Sequence, residues 1–283
     1  MSFEALRLSS RDGYVLAARA YAPAAAPTRA VLIVSAMGVP QRFYEPFAHW
    51  LAEQGLAVLT FDPRGIGDSA PKRLKGFDAS ITDWATKDLG AVVDYFHDRW
   101  PDVPRTYLGH SLGGQLFGWL DHPERFDKVV TVASGNGYWR YNAPAVRNKA
   151  PLLWWLLAPV SVGVAGYFPG KRLGAIGDLP ANARWQWRRW CLHPDYLGAE
   201  GHALRAHYSR VKNEMLAVLA EDDELLSPLG IRRLYHLYSN AAVRFESIHP
   251  QEVGLASVGH FGLFKTTSAQ ALWPRALTWL GGA

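Results

Sequence analysis

The chain has 283 residues, 49% of them hydrophobic and 19% charged, the composition of a folded globular protein with a sizeable core. Its formal net charge of +5 is unevenly spread: Asn136 to Lys212 carries 11 Lys/Arg against Asp178, Asp195 and Glu200, so the basic excess sits in one segment. No helix-turn-helix, zinc-finger or RNA-recognition pattern accompanies that charge, which argues against a nucleic-acid partner, and the single cysteine, Cys191, excludes an intramolecular disulfide.

Met1 to Gly13 lacks a basic stretch followed by an apolar run, so no secretory signal is expected and a cytoplasmic location is the default. Phe3 to Leu8, Tyr14 to Ala22 and Ala30 to Val34 read as three strands, the first two as a hairpin across Ser9 to Gly13. A helical stretch follows at Pro46 to Gln54, with Phe47, Trp50 and Leu51 at core spacing and Gly55 as its stop. Ala57 to Phe61 is the next buried strand. It runs into the glycine-rich loop Asp62 to Ser69, expected to be structural, because a phosphate cradle would need a Walker-type lysine that is absent. Asp83 to Trp100 has the period of an amphipathic helix, with Leu89, Val92, Val93 and Phe96 on one face. Thr106 to Leu108, Val129 to Ala133, Met215 to Ala220 and Val243 to Ile248 continue the strand series as short apolar runs alternating with helical stretches. That order predicts βαβ crossovers and a mainly parallel sheet.

The strand at Thr106 to Leu108 enters Gly109-His110-Ser111-Leu112-Gly113, and Leu112 to Leu120 has helical potential. A G-x-S-x-G turn between strand and helix is a nucleophile elbow: it holds a serine hydroxyl out of the sheet, where a base can reach it. Ser111 is therefore the candidate nucleophile, with Gly109 and Gly113 leaving room for the helix to approach the strands. Of ten histidines, His260 is the candidate base. It lies in Ser257 to Phe264, after the last strand and before the C-terminal helix, where a loop reaches back over the sheet edge. The strand Met215 to Ala220 ends in Glu221-Asp222-Asp223-Glu224, four carboxylates of which one is expected to be buried as the acid and at least three solvated. Serine, acid, histidine is the chain order of α/β-hydrolases and not of chymotrypsin-type or subtilisin-type enzymes.

The chain resembles the serine α/β-hydrolases, closest in pattern to the monoacylglycerol-lipase or serine aminopeptidase-like branch. The resemblance rests on Arg11-Asp12-Gly13-Tyr14, Val39 to Ala48, Asp62 to Ser69, Gly109 to Gly114 and Gly259-His260-Phe261. It implies an α/β-hydrolase fold with helices on both faces of a mostly parallel sheet and no metal or organic cofactor. The family's acid pattern, G-x-x-D-x-x-x-P, fits Ala220 to Pro228 best with Asp223 as the acid and Asp222 as the alternative. By position, the amides of Met37 and Leu112 are the implied oxyanion donors, although Ser35-Ala36 stands where most members have His-Gly; Ser35 is expected to take over that histidine's hydrogen bond.

Between the sixth and seventh strands, 135–213 is expected to be a cap inserted into a core formed by 1–134 and 214–283. The insertion holds six of the twelve tryptophans. Ala150 to Gly170 has no charged residue, but Pro151, Pro159, Pro169, Gly163 and Gly166 predict broken helices and not a transmembrane span. Peripheral membrane contact by the cap is compatible with this pattern. Trp154 and Trp155 are candidate substrate-binding residues for a hydrophobic acyl or aromatic group. The expected reaction is hydrolysis of a small-molecule carboxylic ester through an acyl-enzyme on Ser111. Amide, thioester or carbon–carbon hydrolysis, acyl transfer and perhydrolysis use the same three residues. A catalytically idle hydrolase fold serving as a ligand receptor is the reading from another class.

Overall fold

The computed structural model describes residues 3–174 and 176–282. All eight expected strands form: β1 (Glu4–Ser9), β2 (Val15–Tyr21), β3 (Arg29–Val34), β4 (Leu56–Phe61), β5 (Arg105–His110), β6 (Lys128–Val132), β7 (Glu214–Ala220) and β8 (Ala242–Ile248). They make one sheet in the order β1-β2-β4-β3-β5-β6-β7-β8. β1 pairs with β2 and β2 with β4 in antiparallel fashion, whereas the pairings from β4–β3 to β7–β8 are parallel. The chain moves outward from β3 to β4 and then returns to lay β5 on β3's other side. The carboxyl ends of β3 and β5 therefore meet, Val34 opposite Gly109, at the point where strand order reverses. In open α/β sheets that is where ligands bind.

Alternation along the strands feeds two apolar layers. Ala30, Leu32 and Val34 face one, and Val31 and Ile33 the other. The second layer is closed by Phe47, Ala48 and Leu51 of helix Glu45–Glu53 and by Leu272, Trp273 and Ala276 of helix Ala269–Leu280. The first is covered by helix Leu89–Arg99 and by residues of the 133–213 segment, among them Trp154, Trp190 and Tyr208.

Three expected elements differ in form. The helix expected from Asp83 starts at Ile81, because Ser80 and Asp83 make a capping box, and it carries a π turn at Trp84–Asp88. The helix expected over Leu112 to Leu120 is α-helical only at Leu112–Gln115 and then tightens to a 3₁₀ turn at Leu116–Trp119; Gly113, Gly114 and Gly118 make it a poor α-helix former. Within the insertion, Pro151 and Pro159 do not break the chain. Residues 150–165 run on as one helical stretch, with a π turn at Leu153–Leu157 just before Pro159, where a widened turn relieves the clash of the ring with the preceding carbonyl. Among the described residues no helix is long and apolar enough to cross a membrane.

The Asp62 to Ser69 loop is built around buried ions. The Asp62 carboxylate accepts from the amides of Gln41 (2.7 Å) and Asp68 (2.8 Å), and burial pushes its pKa up from the usual carboxylate range. Arg64, itself buried, donates to Asp88 from Nε (2.9 Å) and Nη2 (2.6 Å), and also to Asp12 and Ser10. Asp88 is fully buried, so its charge depends on that guanidinium. Arg64→Met should lower unfolding stability by about 3–5 kcal/mol, because the carboxylate is left buried without its cation. Urea denaturation measures the loss, and Arg64→Met/Asp88→Asn should recover part of it.

Candidate active site

Ser111 follows β5 with φ 53° and ψ −114°, a backbone conformation that L residues rarely adopt. Its amide donates to Val132 O (2.8 Å), and its carbonyl accepts from Ser134 Oγ (2.8 Å), so β6 and the residues after it hold the turn from both sides. A Cβ at Gly113 would lie 2.0 Å from Val34 O, and one at Gly109 2.4 Å from Gly114 Cα. Both glycines are sterically required, as the sequence predicts. The strand-to-helix turn is the only way this segment can approach β3 so closely.

His260 and Asp223 meet across the carboxyl end of the sheet. His260 Nδ1 lies 2.8 Å from Asp223 Oδ2, with both side chains buried. The other carboxylate oxygen of Asp223 accepts from the amides of Leu225 (2.8 Å) and Leu226 (2.9 Å). These bonds fix the acid to its own turn and leave one oxygen for the imidazole. Among the described residues no hydrogen bond joins the Ser111 hydroxyl to His260, but the two line one cavity of about 840 Å³. Catalytic hydrogen bonds often tighten only when substrate binds.

The expectation that three of the four carboxylates at 221–224 are merely solvated does not hold. Asp222 accepts from the amides of Val258 (2.9 Å) and Gly259 (3.0 Å), and Glu224 from the amide of His260 (2.9 Å). Three consecutive acidic residues thus grip one histidine loop: two by its backbone and Asp223 by its ring.

Met37 and Leu112 both line the cavity, and among the described residues neither amide donates to a backbone carbonyl. Leu112 is the first residue of a helix, where amides have no intrahelical acceptor. The loop after β3 is held by Tyr44. Tyr44 Oη accepts from the Ala36 amide (2.9 Å) and lies 2.8 Å from His110 Nδ1. With its oxygen engaged by that amide, the hydroxyl gives its proton to Nδ1, so His110 carries its own proton on Nε2 and donates it to the His260 carbonyl (3.0 Å). Burial, and then the neighbouring His260, hold the His110 pKa well below the usual imidazole range, which keeps this relay neutral. The chain from Ala36 through Tyr44 and His110 to His260 ties the loop after β3 to the histidine loop.

Trp154 lines the cavity and is only 2% exposed. Trp155 does not line it: it is 53% exposed, with its ring edge-on to Trp139. On a helix, neighbours in sequence point about 100° apart, so the pair cannot share one task. Arg184, of helix Ala181–Leu192, also lines the cavity and is fully buried. The described residues offer its Nε, Nη1 and Nη2 no hydrogen-bond acceptor. Its guanidinium lies over the rings of Trp154 (4.1 Å) and Phe168 (4.8 Å), and burial pushes its pKa down to about 10. Cation–π contacts of this kind stabilise by roughly 2 kcal/mol when desolvated, short of the several kcal/mol that burying an ion costs. Its position was invisible in the sequence, where it is one of several arginines in a basic segment. Among the described residues no group of three or more His, Cys, Asp or Glu is placed to hold a metal ion.

The sequence pattern of the family described as serine aminopeptidase, S33, matches residues 25–169, more than half of the chain. The chain belongs to that family. Monoglyceride lipase of Mus musculus is 29% identical to it over 128 residues, which are 44% of this chain and 41% of the relative. A putative carbamate hydrolase, RutD, of Variovorax paradoxus is 34% identical over 122 residues, 42% of this chain and 41% of that protein. The matched stretch thus spans about two fifths of the curated relatives' length. Among solved structures, a soluble variant of monoglyceride lipase from Saccharomyces cerevisiae superposes with a TM-score of 0.70 at 15% identity, covering 99% of this chain and 95% of that one. A thermostable carboxyl esterase from Bacillus coagulans does so at 0.66 and 14%, covering 100% and 99%. The fold is that of the α/β-hydrolases.

In this serine hydrolase-like frame Tyr44→Phe keeps the ring against Phe264 but leaves the Ala36 amide and His110 Nδ1 without a partner. It should cost about 1–3 kcal/mol in chemical denaturation, the penalty of unpaired buried polar groups. A variant as stable as the parent would mean that the relay contributes nothing.

Proposed function

We propose that this chain is a serine hydrolase cleaving carboxylic esters that carry a hydrophobic or aromatic group. The reading rests above all on one observation: His260, hydrogen-bonded to the buried Asp223, shares a cavity wall with Ser111 at its strained turn. In this mechanism the Ser111 hydroxyl attacks the carbonyl while His260 Nε2 takes its proton, and Asp223 holds the Nδ1–H tautomer and stabilises the imidazolium. The amides of Met37 and Leu112 receive the oxyanion. His260 returns the proton to the leaving alcohol, and water, activated the same way, releases the acid from Ser111. Ester hydrolysis is what the names of the monoglyceride lipase and carboxyl esterase relatives suggest.

The 135–213 segment acts in this reading as a cap over the cavity, with Trp154 as its substrate-facing residue. The cap also offers a lipid surface something to hold. Leu152, Trp155, Leu156, Val160 and Val164 are all exposed, Val164 to 80%, and their spacing places them along one side of the helical stretch. The basic excess of the same segment favours an anionic bilayer. A cytoplasmic location agrees with the buried, unpaired Cys191.

Ser111→Ala should abolish both turnover of nitrophenyl esters and labelling by a fluorophosphonate probe while leaving the fold intact. Asp223→Asn should lower kcat by roughly 10⁴, the size seen when a serine triad loses its acid, and Asp222→Asn by far less. Labelling that persists without Ser111, or a parent chain that is never labelled, would sink this assignment, the second result favouring an idle receptor. Flotation with vesicles rich in phosphatidylserine should carry the chain upward, and Trp155→Ser/Val160→Ser should leave it at the bottom; equal flotation of both would remove the membrane contact.

A further inference from the structure

Arg184 is the group in this cavity that the reaction above does not use. Its three nitrogens are buried with no acceptor among the described residues, and Trp154 Nε1, from the ring stacked on it, is likewise buried and unpaired. Among the described residues no carboxylate compensates it: burial and Arg188 oppose its charge, and only Cys191 favours it. The cavity wall contains, among the described residues, no Asp or Glu, but it holds Arg42 and Lys171 in addition to Arg184. Burying a cation in such a wall is costly unless something anionic arrives to meet it.

We propose that the substrate carries a carboxylate, held by Arg184 and the Trp154 indole N–H, at the end of an apolar spacer leading from the ester carbonyl at Ser111. The chemistry follows from the surroundings. The guanidinium carbon lies over the Trp154 and Phe168 rings, and the in-plane N–H groups, which have no acceptor among the described residues, match the two oxygens of a carboxylate. One unit of negative charge neutralises one guanidinium, whereas a phosphate monoester brings nearly two. Arg42 and Lys171, in the same wall and exposed, draw the anion towards the cavity. The inference rests on the ester-hydrolase reading only for its turnover test.

That test compares nitrophenyl half-esters of α,ω-dicarboxylic acids with nitrophenyl esters of the matching monocarboxylic acids and with phosphate-tipped analogues. The parent chain should prefer the carboxylate-tipped ester by about 30-fold or more in kcat/KM, mainly through KM. Arg184→Met, which keeps the packing volume, should erase that preference; Arg42→Gln and Lys171→Gln, which lose only a longer-range attraction, should keep most of it. Equal rates on the two esters, a preference for the phosphate tip, or a preference lost with Arg42 or Lys171 and not with Arg184 would each overturn the proposal. So would proportional loss on every ester with a lower melting temperature in Arg184→Met, the mark of a purely structural cation. Should that variant not fold, the parent's ratio and the two surface variants still decide. Binding is read separately from chemistry: the free dicarboxylic acid should raise the melting temperature of Ser111→Ala, and no shift would overturn the carboxylate site. Absent turnover of every ester together with a clear shift would count against the hydrolase reading alone.

Discussion

Ser111 sits where its backbone does not want to be, and much of the surrounding structure exists to keep it there. A positive φ at a non-glycine residue costs of order 1–3 kcal/mol, so it persists only where neighbours over-determine it. Here β6 supplies an acceptor for the amide and Ser134 a donor for the carbonyl, while the bare backbone of Gly113 lies against the end of β3. The parallel pairing of β3 with β5 brings those two strand ends side by side. A side chain at Gly113 would push them apart, and the loop after β3, with Met37, would move away from the serine it faces.

A second constraint links parts that arrive from distant points of the chain. The histidine loop follows β8, the acidic turn follows β7, and the Ala36 loop follows β3. Asp222 and Glu224 hold the first to the second through backbone amides, and the Tyr44–His110 relay holds the first to the third. Every bond in the relay is between neutral groups, so it asks no desolvated charge to be stable. Its burial costs little, and the tie between the histidine loop and the Ala36 loop depends on no charge.

This division explains which features were legible in the amino-acid sequence. The eight strands were, because each is a short apolar run bounded by turn residues, and so was the elbow, because its glycines answer to local sterics. His260 could be picked out by its place after the last strand, and Asp223 only by the resemblance, whose acid pattern chose it among four carboxylates; the structure does bring the two together. What could not be read depends on tertiary contact. Tyr44 and His110 look like ordinary core aromatics until the relay is visible, although one adjoins Phe43 in a matching segment and the other sits inside G-x-S-x-G. The continuity of residues 150–165 through Pro159 depends on a π turn that no propensity signals. Trp154 and Trp155 were equivalent on paper, and a rotation of about 100° between neighbouring residues puts one in the cavity wall and the other in solvent.

The two buried arginines show how the same residue type takes opposite meanings. Arg64 and Arg184 are both nearly inaccessible, and burial opposes the charge of each. Around Arg64 stand Asp12, Asp88 and Ser10, and its pKa ends above the usual arginine range because hydrogen bonds and charge outweigh burial. Such an ion is scaffold: its partners are fixed parts of the chain, and its site is complete. Around Arg184 stand rings, Cys191 and a second arginine, and its pKa ends below that range. A fold that satisfies one buried guanidinium so fully has the means to satisfy another. The second has no acceptor and no carboxylate in its cavity wall among the described residues, which is the ground for seeking its partner outside the chain.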